Sequence, residues 1–202
     1  MSKFAKRLLV AAILLLVLAA ILHMGGWLQC AIFTIGAIAS VFEISNAFEK
    51  RDRKPYMLPA YLYAAGYFVL YRLFGGEAVW LLGIFMVMLA LMERIWNRTR
   101  TTEDAFFALV PLVYPLAFFT AVAMVAEYAG EYDKSRIALF SIFAMPLMGD
   151  TFAYTFGRLF GKRKLSPELS PNKTVAGGIG GVLGGAVGGV LVYALEGLYP
   201  AG

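Results

Sequence analysis

From Asp150 to Gly189 the chain reads DTFAYTFGRLFGKRKLSPELSPNKTVAGGIGGVLGGAVGG. A carboxylate and a few polar residues close one apolar segment, a basic loop follows, and a Ser-Pro-x-Lys-Thr turn opens a second apolar segment crowded with glycine. Two apolar runs joined by a short cationic loop are the pattern of two membrane helices meeting at a membrane surface. The order of carboxylate, cations and helix start describes a surface site where an anionic, phosphorylated substrate meets a metal ion.

The remaining chain has the composition of a scaffold for that site. Hydrophobic residues make up 60% of 202, and mean hydropathy is +0.72, against roughly half apolar residues in a soluble domain. An all-α polytopic membrane protein follows, because an open chain can satisfy its backbone in lipid only as helices. Residues 1–202 are expected to form a single helical membrane domain whose basic loop spans about 158–174. Cys30 is the only cysteine and His23 the only histidine, so neither an internal disulfide nor a Cys/His metal cluster can be built. Any bound metal is therefore held by oxygen, which points to Mg2+ or a similar hard cation. The net charge of +5 fits basic loops beside anionic lipid headgroups better than nucleic acid in so apolar a chain.

Apolar runs between charge clusters predict about seven transmembrane helices, at 7–24, 27–47, 57–75, 78–96, 104–126, 136–157 and 175–195. The first has the basic start of a signal peptide, but no clean small-residue cleavage site precedes a soluble domain, so it reads as a retained span. Of 18 Lys and Arg residues, 15 fall on one side of this arrangement, and only Arg72, Lys134 and Arg136 fall opposite. The positive-inside rule then predicts a cytoplasmic N-terminus and a cytoplasmic 158–174 loop.

Two carboxylates sit inside spans: Glu43 about a turn from the cytoplasmic end of the second, and Asp150 about two turns inside the sixth. A charge at a helix centre costs about 2.5–3.5 kcal/mol on insertion scales, so such residues usually face a polar cavity. For Glu43, pairing with a loop arginine stands as an equal alternative. Asp150 has more company. Pro146 and Gly149 are placed to bend or break the helix ahead of it, and Thr151, Tyr154 and Arg158 follow at spacings that extend a polar stripe toward the loop.

In the loop, Gly157 and Gly161 flank Arg158, and Lys162, Arg163 and Lys164 follow. By itself such a run is a topology signal or a headgroup contact. Ser170 then reads as an N-cap and Pro171 as the first helical residue, with Lys173 and Thr174 in the first turn. That arrangement turns free amides and the positive helix end toward phosphate. Within the last helix, Gly177, Gly181, Gly185 and Gly189 recur every four residues, which suits close helix packing within the bundle or between two protomers. His23, Cys30 and Trp27 border an outer turn at Gly25 and Gly26, where Trp27 reads as an interfacial anchor.

The ordered set Asp150-Thr151-x-Ala153-Tyr154, Gly157-Arg158, Gly161-Lys162-x-Lys164-Leu165-x-Pro167, Ser170-Pro171-x-Lys173-Thr174-x-x-Gly177 and Gly180-Gly181 resembles the phosphatidate cytidylyltransferase (CDP-diacylglycerol synthase) family. The N-terminal third is similar in style, with Gly25-Gly26-Trp27 after the first span and Glu43 ending the second. Two departures stand out. Ala176 occupies a position where the family usually has Glu, and the family's usual C-terminal signature, which the resemblance implies carries metal-binding aspartates, is not found in these 202 residues.

The resemblance implies transfer of a cytidylyl group from CTP to phosphatidate with magnesium, in the bacterial inner membrane. It implies that Asp150 holds the metal and acts in catalysis with Arg158 and Lys173. Substrate contacts would come from Tyr154, Lys162, Lys164, Ser170, Pro171 and Thr174. A homodimer through the glycine-rich helix is the corresponding expectation for assembly. Two other readings stand beside it: a CTP-dependent kinase of a polyprenol- or phytol-type lipid alcohol, and a truncated, non-catalytic homologue.

Overall fold

The structure, a computed structural model, describes residues 18, 20–97, 99–127, 132–168 and 170–196. The chain divides into two compact units, Met1–Ala129 and Gly130–Gly202. Most of the predicted first span, with the basic start at Lys3, Lys6 and Arg7, lies outside the described residues. Its last turn is helical at 20–24 and stops at Gly25 and Gly26. Their φ values of 58° and 62° are open to glycine and strained for other residues.

In the first unit, α1 (Gly26–Glu49), α2 (Leu58–Phe74) and α3 (Gly76–Trp96) follow the predicted second to fourth spans. The predicted fifth span is not one helix. It is divided into α4 (Thr102–Phe107), α5 (Val110–Val113) and α6 (Leu116–Ala126). Pro111 and Pro115 account for the division, since each lacks the N–H that would continue the ladder. Thr101 and Asp104 form a reciprocal capping box at the start of α4, which satisfies donors a free helix end would leave open.

Tyr67 and Phe68 are fully buried at the centre of this unit, with Phe68 stacked on Phe33. Thr120 Oγ1 donates to Leu116 O at 2.8 Å. Its single proton is thereby committed, so Tyr63 Oη is the donor in the 2.8 Å bond between Tyr63 and Thr120. Arg72, the one described cation predicted outside among these helices, pairs with Glu127 at 2.7 Å and lies over the Trp27 ring at 4.8 Å. Arg53 pairs with Glu103 and lies over Phe107. Glu43 is exposed on α1 and makes no ion pair among the described residues.

The second unit is α7 (Tyr132–Phe160), a two-stranded antiparallel ribbon of β1 (Lys164–Ser166) and β2 (Ser170–Thr174), and α8 (Val175–Glu196). Two expectations are corrected here. Helix α7 runs unbroken through Pro146, and Gly149 serves packing instead of a break: a Cβ there would stand 3.2 Å from Gly181 O. Nor is 158–174 an open loop, because its second half is the ribbon. The α8 face that carries Gly177, Gly181 and Gly185 is filled by α7 within the chain.

Five segments are long and apolar enough to cross a membrane: Gly26–Glu49, Gly76–Trp96, Thr102–Ala126, Ser135–Phe160 and Val175–Leu195. Helix α2, with 17 residues, spans about 26 Å at 1.5 Å per residue, just short of a bilayer core of about 30 Å. The chain is an integral membrane protein built on helices.

Candidate active site

The candidate site lies in the second unit, and the packing of α7 on α8 creates it. Small residues on both helices, Gly149, Ala153 and Gly157 facing Gly177, Gly181 and Gly185, let the two backbones approach closely. The tightest positions on α8 are Gly177, Gly180, Gly184 and Gly188, where a Cβ would come within 2.9, 2.6, 2.5 and 3.0 Å of α7. This row is shifted from the simple four-residue repeat, since a helix of 3.6 residues per turn alternates spacings of three and four along one face.

Where α8 begins, Thr174 is buried at the meeting point of both helices and the ribbon. Its Oγ1 accepts from Gly177 N at 3.1 Å, so Thr174 is the residue that caps α8. Ser170 and Pro171 are instead in β2, which corrects their assignment as N-cap and first helical residue. Pro171 pushes the residue before it toward extended backbone and is tolerated in a two-stranded ribbon because its missing N–H can face outward. The pairing shifts register between Lys164↔Thr174 and Ser166↔Ser170, around the stretch that holds Pro171. The amide of Val175 donates to Arg163 O at 3.0 Å. With Gly177 N also engaged, Ala176 is the remaining amide of the first three, so α8 offers fewer free donors than its sequence suggests.

Beside this junction is a cleft of about 510 Å³. One wall is a row on α7, Asp150, Tyr154 and Arg158, spaced at i, i+4 and i+8 and therefore on one face. Asn172, Lys173, Thr174, Gly177, Gly178 and Gly181 form the other side, and Leu165 of β1 closes one edge. Arg158 Nη1 donates to Tyr154 Oη at a long 3.5 Å. Asp150, Arg158 and Lys173 make no ion pair among the described residues, so charges of both signs line one cleft without neutralising each other.

Of the predicted residues, Asp150, Tyr154, Arg158, Lys173 and Thr174 come together. Lys162 and Lys164 are exposed but do not border the cleft, and neither do Ser170 and Pro171. Thr151 leaves the polar stripe, as its Oγ1 donates back to Leu147 O at 2.8 Å. Asn172 and Gly178 are cleft residues outside the predicted set, and Leu165 belongs to the quoted motif without an assigned role. Strand alternation would have paired Asn172 with Thr174, but only a reader who placed the ribbon could have applied it.

Asp150 is the one carboxylate on the cleft, and no group of three or more His, Cys, Asp or Glu side chains gathers among the described residues. A single exposed carboxylate is a poor resident cation cage. It suits magnesium carried with a nucleotide, since that ion takes one or two carboxylates and completes its shell with water and substrate phosphates.

No curated protein and no solved structure matches the chain. A family model, described as the cytidylyltransferase family, matches residues 5–200. That match takes in the cleft, the ribbon that positions Lys173 and the helices that carry Asp150 and Thr174, and by it the chain belongs to the cytidylyltransferase family.

Proposed function

We propose that this protein transfers the cytidylyl group of CTP to phosphatidate, giving CDP-diacylglycerol and pyrophosphate in phospholipid synthesis. The observation that carries this reading is the unpaired set of Asp150, Arg158 and Lys173 on one cleft of a membrane-embedded cytidylyltransferase-family chain. A phosphate oxygen of the lipid bonds to the α-phosphorus of CTP. The bond from that phosphorus to the oxygen bridging toward the β-phosphate breaks, and pyrophosphate leaves with the electron pair. The acceptor is already an anion and needs no base, so the protein's work is positioning and charge neutralisation.

Lys173 and Arg158 bring two cations to the phosphates, and Arg158 offers planar, paired donors. Tyr154 Oη, within reach of Arg158, helps to orient that guanidinium. Thr174 holds the start of α8 beside Lys173 and acts by position. Asp150 is the residue that would hold magnesium together with the nucleotide, and the ion would supply further neutralisation of phosphate charge. A bare carboxylate facing a triphosphate would otherwise repel it.

Asp150 also favours one second reading. A lone carboxylate on the cleft suits a general base for a hydroxyl, as a CTP-dependent lipid-alcohol kinase would require. Labelled CTP separates the two. Label from the α-phosphate enters lipid in cytidylyl transfer, and label from the γ-phosphate enters lipid in the kinase reaction. Positive-inside charge bias supports a cytoplasmic cleft in a bacterial inner membrane, where CTP is supplied from the aqueous side.

A further inference from the structure

Most glycines of α8 are accounted for by α7. Gly177, Gly180 and Gly184 admit no side chain without a shift of α7, Gly188 is tight against it, and Gly181, Gly185 and Gly189 are in ordinary contact with α7. Gly178 is different: a Cβ built there meets no heavy atom within 4 Å among the described residues. Its backbone is ordinary helix, with none of the positive φ seen at Gly25, Gly26 and Gly75. Glycine inside a helix is less favourable than alanine, so neither packing on α7 nor backbone conformation explains this residue. It is exposed, and it lines the cleft. Absence of a side chain on a cleft wall lets a ligand lie against the helix backbone.

We infer that Gly178 is a specificity-determining position, where the glycerol and first acyl carbons of a phospholipid substrate lie across the Gly178–Gly181 wall with the lipid phosphate toward Arg158 and Lys173. The inference rests on the lipid-modifying reading of the cleft and assigns one part of it to the lipid. Gly178 and Gly181 belong to a segment apolar enough to cross a bilayer, and Ile179 and Val182 beside them are exposed apolar side chains. A nucleoside there would give up hydration of its base and ribose without matching partners, whereas an acylated glycerol would not. The polar groups Asn172, Lys173 and Arg158 gather at the other end.

The test uses the purified full chain in lipid nanodiscs with a phosphatidate carrying a diazirine near the top of one acyl chain. Wild type, G178A and G178L are cross-linked in the light, and retention of radiolabelled CTP is measured in parallel. Cross-linking competed by unlabelled phosphatidate is expected to fall in G178A and to fall about tenfold or more in G178L, the order of discrimination that added bulk gives in a fitted pocket. CTP retention is expected to stay at the wild-type level. Undiminished cross-linking in both variants overturns the inference, as does loss of CTP retention with lipid cross-linking intact. G178A guards against misfolding of the larger variant, because its methyl group meets no heavy atom of another element within 4 Å among the described residues. If the lipid result holds but wild type moves no α-label from CTP into lipid, cytidylyl transfer fails and the lipid seat stands.

Discussion

Thr174 Oγ1 accepts a hydrogen bond from Gly177 N at 3.1 Å, and that bond starts the glycine-rich helix. The same threonine lies beside two glycines: a Cβ at Gly157 would stand 3.1 Å from its Oγ1, and one at Gly161 would strike the Gly157 carbonyl oxygen and stand 2.8 Å from Thr174 Cγ2. The spacing Gly157-x-x-x-Gly161 is thus explained without any nucleotide, by the room that the capping threonine and the Gly157 carbonyl need where the two helices meet the ribbon. Lys173 precedes the cap directly, so the cap fixes the backbone from which its side chain departs.

Thr174→Val keeps the shape and removes the capping oxygen. Loss of a cap costs about 1 kcal/mol, and a fall in thermal midpoint in detergent is expected, with Thr174→Ser close to wild type. Turnover should fall further in Thr174→Val than stability does, because Lys173 is displaced along with the cap. Restoration by Thr174→Ser of both stability and turnover distinguishes a capping role from simple loss of bulk.

A Cβ built at Gly181 lies 3.4 Å from Ala153 Cβ, at the short edge of the range of about 3.5–4.5 Å in disulfides. In a Cys30→Ser background, the pair Ala153→Cys and Gly181→Cys is expected to oxidise readily. Counting alkylated thiols before and after mild oxidation checks this. Two free thiols under oxidising conditions would show that the register of α7 against α8 is not the one described.

Much of this arrangement was legible in the residues. Apolar runs located the helices because a bilayer core demands continuous hydrophobic length, and Asp150, Tyr154 and Arg158 fell on one face by helical spacing alone. Other features depended on tertiary partners. Ser170-Pro171 satisfies the rules for a helix start, yet pairing of Ser170 with Ser166 holds it extended, and Thr174 performs the capping instead. Pro111 and Pro115 carried a signal for the broken fifth span that its hydropathy masked. Which glycine row meets α7 could not be chosen by composition, because α8 carries glycine pairs on neighbouring faces and only the partner helix selects among them.

Asp150 and Lys173 approach the cleft from different elements, α7 and β2, and their substitutions should separate. Asp150→Asn removes charge without volume and should lower pyrophosphate release at least about a hundredfold, a common cost for one group that stabilises transition-state charge. If Asp150 acts by holding magnesium, the variant also needs more magnesium for its residual rate, and chelation silences wild type and variant alike. Lys173→Ala should weaken CTP retention as well as turnover. Wild-type pyrophosphate release by Asp150→Asn would remove this residue from the reaction.

In the first unit, Arg72 is held from two sides, by Glu127 at 2.7 Å and by the Trp27 ring at 4.8 Å. Its side chain and that of Glu127 are each 25% exposed, so solvent screens the pair only in part. Arg72→Ala leaves Glu127 without its cation, while Glu127→Gln leaves Arg72 its ring contact. The arginine change is therefore expected to cost more. A double-mutant cycle read by thermal unfolding should give a coupling of about 1 kcal/mol, since residues in direct contact depart from additivity by about 0.5–3 kcal/mol. Strict additivity would mean that the ion pair contributes nothing and that Trp27 alone holds Arg72 in place.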